Sequence, residues 1–154
     1  MRSLNSVSTI KSKKYDGVEF QVLTLNVIQR AVRDAGIAEH RLEYSRLSAE
    51  RGTLLDSLVG KGGTIEEREK RYDDLTPVDR FKLIDLNSRA ELIHQQFIAP
   101  AAIKAALTAV TGFEIDGKPA DADTLILHAP DDLLMEAYDA CTRASGMTGE
   151  EVKN

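Results

Sequence analysis

The chain has 154 residues, 42% hydrophobic and 29% charged, a balance that belongs to one folded domain rather than a disordered segment. Its net charge of −5 argues against nucleic acid as the main partner, because phosphate contacts need a dense positive field. The single cysteine, Cys141, excludes an intramolecular disulfide and a cysteine-rich metal site and fits a reducing cytoplasm. No apolar run nears the ~20 residues that span a bilayer, and the N-terminus lacks a signal-peptide core, so no membrane partner is expected.

Aromatic residues make up 5% and Trp is absent, so packing falls to Leu, Ile, Val and Ala. The expected fold class is mainly α, a helical domain with an N-terminal β-hairpin (α+β with small β content). Residues Ser8 to Tyr15 alternate weakly, and Asp16-Gly17 then supplies the turn chemistry of a hairpin. Val18, Phe20 and Val22 fall on one face of the next strand, Glu19 and Gln21 on the other. A lone ribbon is marginal in water, so it is expected to lie on helices or on a sheet from another subunit. From Leu25 the apolar period becomes helical through Val27, Ile28, Ala31, Val32 and Ala35, with Gly36 expected to stop or turn the segment. A second helix is expected from about Glu39 to Leu58, ended by the flexible break Gly60-Lys61-Gly62-Gly63.

Thr64 to Asp74 is highly charged and is expected to be helical at best, on the surface. Thr76-Pro77-Val78-Asp79 is a better start: Thr as N-cap, Pro at the first helical position and an acid three residues after the cap. Leu83, Leu86, Ala90, Ile93 and Phe97 then recur at three- and four-residue steps, the pattern of a main core helix. Pro100 should kink or end it, and Ala101 to Val110 reads as an alanine-rich helical piece closed by Gly112. Phe113 to Ile115 reads as extended, with Asp116-Gly117 repeating the earlier turn. Helical pieces follow over Asp121 to His128 and Asp131 to Ala144, the latter with Leu134, Ala137, Tyr138 and Cys141 along one stripe. Ser145-Gly146 should end it before a charged tail. This divides the chain into a hairpin (1–24), a helical core (25–111) with a break near 60–63, and a C-terminal helical subdomain (112–154), expected to form one compact domain.

Chemistry-bearing residues are sparse. His40, His94 and His128 stand far apart, and Glu91 one turn before His94 makes only a pair, so no metal site is expected. Gly60-Lys61-Gly62-Gly63-Thr64 fails the spacing of a phosphate loop, with Leu55 where the first Gly is required and Gly62 after the Lys. Cys141 on an apolar stripe reads as a small buried hydrophobe. Asp131 and Asp132 suit the positive end of their helix. The basic clusters Lys11, Lys13, Lys14 and Arg68, Lys70, Arg71 read as solvated faces. No catalytic residue, cofactor or metal is therefore expected. What remains is interaction: the edges of the hairpin can pair with another strand, of a partner or of a second copy in a homo-oligomer. The candidate partner-binding residues are Val18, Phe20 and Val22 on the ribbon and Leu83, Leu86, Ile93 and Phe97 on the stripe, the stripe reading first as core.

The two ends of the chain carry a resemblance. Gly112-Phe113-Glu114-Ile115-Asp116-Gly117-Lys118-Pro119-Ala120, then Leu125-Ile126, Pro130-Asp131-Asp132-Leu133, and Ser145-Gly146-Met147-Thr148-Gly149-Glu150-Glu151-Val152-Lys153-Asn154 resemble the C-terminal part of bacteriophage and prophage tail assembly chaperone-like proteins. Tyr15-Asp16-Gly17-Val18-Glu19-Phe20 is similar to their short β opening, while the middle shares only a helical pattern. The resemblance implies a non-enzymatic assembly factor in the bacterial host cytoplasm, with the tape measure protein and tail tube protein as partners. A structural virion component of the tail or neck is the alternative expectation, and a small enzyme a remote one.

Overall fold

A computed structural model of the chain describes residues 6–144. The expected helix stop at Ser145-Gly146 and the charged tail lie outside the described residues. The architecture is mainly α with a small antiparallel sheet. In chain order it runs β1 (Val7–Lys11), β2 (Glu19–Leu23), α1 (Val27–Val59), α2 (Ile65–Asp73), α3 (Pro77–Ile93), a π turn (His94–Ile98), α4 (Ala99–Ala106), β3 (Leu107–Thr111), the two-residue strands β4 (Glu114–Ile115) and β5 (Lys118–Pro119), α5 (Ala122–His128) and α6 (Asp131–Ala144). The chain forms two compact units. One takes in the residues up to Ile37 and from Phe97 onward; the other is Ala38–Gln96.

In the first unit the ribbon is not two-stranded. β1, β2 and β3 form one antiparallel sheet in that order, with Phe20 opposite Val110 and a bulge between Gln21 and Val22. Ala101 to Val110 is not helical throughout, as its alanines suggest; the helix ends at Ala106 and the chain turns extended at Leu107. Thr108, Val110 and Thr111 are β-branched and favour the pleated surface, and Leu107 and Val110 point inward. Gly112 therefore closes a strand rather than a helix. Val18, Phe20 and Val22 pack with Leu25, Ile103, Val110, Leu125, Leu133 and Cys141 in one buried cluster.

Asp116 and Gly117 both take positive φ, 53° and 75°, as a type I′ turn requires. At Asp16-Gly17 only the glycine does. There the Val18 N–H donates to the Tyr15 carbonyl at 3.2 Å, so the residues occupy the middle of a type II-like turn inside a longer loop.

In α1 the expected stop at Gly36 does not occur. The helix runs unbroken for 33 residues. A glycine inside a helix costs only about 1 kcal/mol, and the residues directly after it, Ile37 and Ala38, offer no capping side chain to restart one. The start is fixed by Asn26 and Gln29, which exchange side-chain to backbone bonds at 2.8 and 2.9 Å, a reciprocal cap.

In the second unit α2 is better defined than the sequence reading allowed. Thr64 and Glu67 form a full capping box, at 3.2 and 2.8 Å. α3 begins as expected, the Thr76 hydroxyl accepting the Asp79 N–H at 3.2 Å and Pro77 opening the helix. Leu86 and Ala90 pack with Leu47 of α1, flanked by Tyr44, Leu54 and Ile93. Pro100 cannot donate to the carbonyl four residues back and its ring crowds that carbonyl. A π turn, His94–Ile98, directly precedes α4, which carries Pro100 in its first turn.

One close approach constrains the first unit. A Cβ on Gly112, at φ +78°, would lie 2.0 Å from the Gly17 carbonyl oxygen. Gly112→Ala is expected to lower stability by more than about 2 kcal/mol. Gly36→Ala meets nothing within 4 Å and should raise it by roughly 0.5–1 kcal/mol. Urea denaturation of both variants checks the pair.

Candidate interaction surfaces

The loop between β1 and β2 is held on α6 by two carboxylates one helical turn apart. Glu136 accepts the Ser12 hydroxyl and the backbone N–H groups of Lys13 and Lys14, the last two at 3.2 and 3.1 Å. Asp132 accepts the Tyr15 hydroxyl at 2.7 Å and faces the Lys14 ammonium at 3.8 Å. The Tyr15 ring meets Phe113 edge-on, centroids 6.3 Å apart. Asp132 thus does more than face its own helix dipole: it ties the N-terminal loop to the C-terminal helix.

The hydrogen bond from Tyr15 holds the Asp132 carboxyl below its ordinary range, and the same bond raises the Tyr15 phenol. With the folded carboxyl lowered, its contribution is present above the unfolded value and is lost as pH falls through the folded one. With the phenol raised, its contribution is present below the unfolded value and is lost as pH rises through the folded one.

The ribbon residues named from sequence are interior. Val18, Phe20 and Val22 are at most 4% exposed, so their side chains form the core and do not reach a partner. On the stripe, Leu83 and Leu86 are buried and Ile93 packs against the second unit's cluster. Phe97 is exposed and belongs to the first unit. The structure does not bring these seven residues to one surface.

A different set is exposed on α3. Val78, Phe81, Ile84 and Leu92 are 52% to 68% exposed. They recur at three-residue steps and then, through Ser88, at four-residue steps. At 100° per residue this stripe lies nearly opposite Leu83, Leu86, Ala90 and Ile93. The helix is therefore apolar on two sides, and a helix apolar all round is ordinarily covered all round. Sequence reading followed the buried stripe and passed over the second one, although both are visible at helical spacing between Val78 and Ile93.

The first unit carries an apolar groove of its own, about 430 Å³, lined by Leu25, Ile28, Val32, Ile37, Ala101 and Ala105. Ile28 and Val32 are exposed one turn apart. In the second unit a smaller groove lies between the end of α1 and α2, lined by Leu55, Val59, Ile65 and Tyr72. Exposed apolar surface in contiguous strips marks interaction sites more often than single exposed residues do.

Among the described residues no group of three or more His, Cys, Asp or Glu is placed to hold a metal ion. Cys141 is fully buried, and burial pushes its thiol up to about 12, far from a reactive thiolate. Arg68 pairs with Asp56 at 3.8 Å and Arg71 donates to the Gly62 carbonyl, so much of that basic cluster is engaged within its own unit. No described helix is long and apolar enough to cross a membrane. Compared with known protein families, curated proteins and solved structures, the chain matches none.

The loop tie predicts a pH effect. Tyr15→Phe removes the bond that lowers the Asp132 carboxyl, so stability should fall less steeply as pH drops from neutral to strongly acid. Denaturation midpoints measured across that range check this; an unchanged slope would show that the tie contributes nothing.

Proposed function

We propose that this chain is a tail assembly chaperone of the bacteriophage type, a non-enzymatic protein that covers apolar helical segments of a tape measure protein and engages tail tube subunits while the tail assembles. The observation that carries the reading is the second apolar stripe of α3, Val78, Phe81, Ile84 and Leu92, joined to the resemblance at the two ends of the chain.

The magnitudes favour a long helical partner over a small ligand. Covering one large apolar side chain yields roughly 1.5–3 kcal/mol when it starts fully exposed. Four residues that start about half to two-thirds exposed give on the order of 4–7 kcal/mol. Association costs an estimated 4–15 kcal/mol. The α3 stripe alone thus supports weak, reversible contact. A long apolar helix that touches several strips or several chaperone copies binds firmly through their sum, and it would aggregate if left bare.

An alternative reading is a structural component of the tail or neck, favoured by the position of β1 as an outer strand of its sheet, where it could join neighbouring subunits. The readings separate on abundance: a virion component is stoichiometric in purified particles, and a chaperone is lost from them.

Co-expression tests the main reading. A tape measure fragment or the tube protein should be retained on the tagged chain, and Phe81→Asp or Leu92→Asp should weaken retention about tenfold or more, the equivalent of ~1.4 kcal/mol. Retention of neither partner by the wild-type chain would refute the proposal.

A further inference from the structure

We infer that β1 is a self-pairing edge, through which two copies of this chain join in a two-fold antiparallel β1–β1 contact. The inference concerns the sheet and does not depend on what the helical stripes bind.

The phase of the ladder is fixed by two bonds. The Ser12 N–H donates to the Val18 carbonyl and the Thr24 N–H to the Ser6 carbonyl, both at 2.8 Å. In an antiparallel pair, hydrogen-bonded positions recur at every second residue. With Ser8 opposite Val22 and Ile10 opposite Phe20, Ser6, Ser8, Ile10 and Ser12 direct their backbone groups at β2. Val7, Thr9 and Lys11 direct theirs away from it. β1 is an outer strand of the sheet, and these same three residues are exposed. The edge therefore offers three N–H and three C=O groups over about 17 Å of regular strand.

Sheet edges are usually guarded by proline, a bulge or charge. The sequence Val-Ser-Thr-Ile-Lys has no proline, and its pairing with β2 is regular, the bulge lying instead in the β2–β3 pairing. Lys11 is its only charge and stands at the end. Among the described residues this edge is open along its middle.

A second copy fits it in one register. A two-fold axis through Thr9 sets Thr9 against Thr9 of the second copy and Val7 against Lys11 of the second copy. All three outward N–H groups of each strand then meet outward carbonyls. The charges agree with this register: no like charges fall opposite, because Lys11 lies between Glu19 of its own β2 and an uncharged Val7 of the other copy. Thr–Thr is a favourable cross-strand pair, and the Lys11 stem covers the exposed Val7 side chain. On the inner face Ile10, half-buried in one chain, gains cover from Ser8 of the second copy. Closure by a two-fold axis also leaves neither β1 edge free to recruit further copies.

The test is sedimentation velocity over a concentration series. The wild-type chain should dimerise with rising concentration. Thr9→Lys and Thr9→Glu each place like charges across the axis and should each be monomeric, with unchanged circular dichroism because the side chain is exposed. Mixed one to one, the two variants should recover the dimer. Thr9→Pro removes the central outward N–H while sparing the Ser8 and Ile10 bonds to β2, and it should also be monomeric. A wild-type chain that stays monomeric overturns the inference. So does a dimer that persists in Thr9→Lys, which would place the contact elsewhere, or a Lys–Glu mixture that fails to recover it.

Discussion

A helix that is apolar on opposite sides is ordinarily covered on both. In α3 the chain's own Leu47 and its neighbours cover one side, through Leu86 and Ala90, and leave Val78, Phe81, Ile84 and Leu92 to solvent. The second unit has a small core and long helices. The first unit has the larger core, built on β2 and α6, and an exposed groove beside Ile28 and Val32. Buried and exposed apolar residues thus occupy different sides of the same helices.

The first unit shows how a short sheet becomes stable. A two-stranded ribbon cannot bury enough surface to persist. Here β3, drawn from about ninety residues further along the chain, pairs with β2, and the β1–β2 loop is tied to α6 through Asp132 and Glu136. Gly112 lets the chain leaving β3 pass against the Gly17 carbonyl. The strands are non-local partners, so the sheet depends on the helices that bring β3 back to β2.

Local chemistry made part of this legible. Thr76-Pro77, Asp116-Gly117 and the apolar spacing of α6 each act within one turn of chain, and each appears where expected. The Thr64-x-x-Glu67 box is equally local, but the density of charge around it masks the helix start. Gly36 misled because a glycine lowers helix stability without ending a helix unless the chain also reverses there. The Leu107 to Thr111 strand was hidden behind the alanines before it, since only pairing with β2 makes those residues extended.

The site was harder to read than the fold. Alternation correctly put Val18, Phe20 and Val22 on one face, but alternation does not say whether the cover comes from the same chain; here it does. The stripe on α3 gave the converse case, because two apolar stripes on one helix compete for attention and only packing shows which is used.

The central claim is that the outer face of α3 is surface for a partner and not hidden core. Thermal unfolding of Phe81→Asp with Leu92→Asp, set beside Leu86→Asp, tests it directly. The outer double variant should melt near the wild type while Leu86→Asp collapses the second unit. An outer variant that unfolds as readily as Leu86→Asp would contradict it.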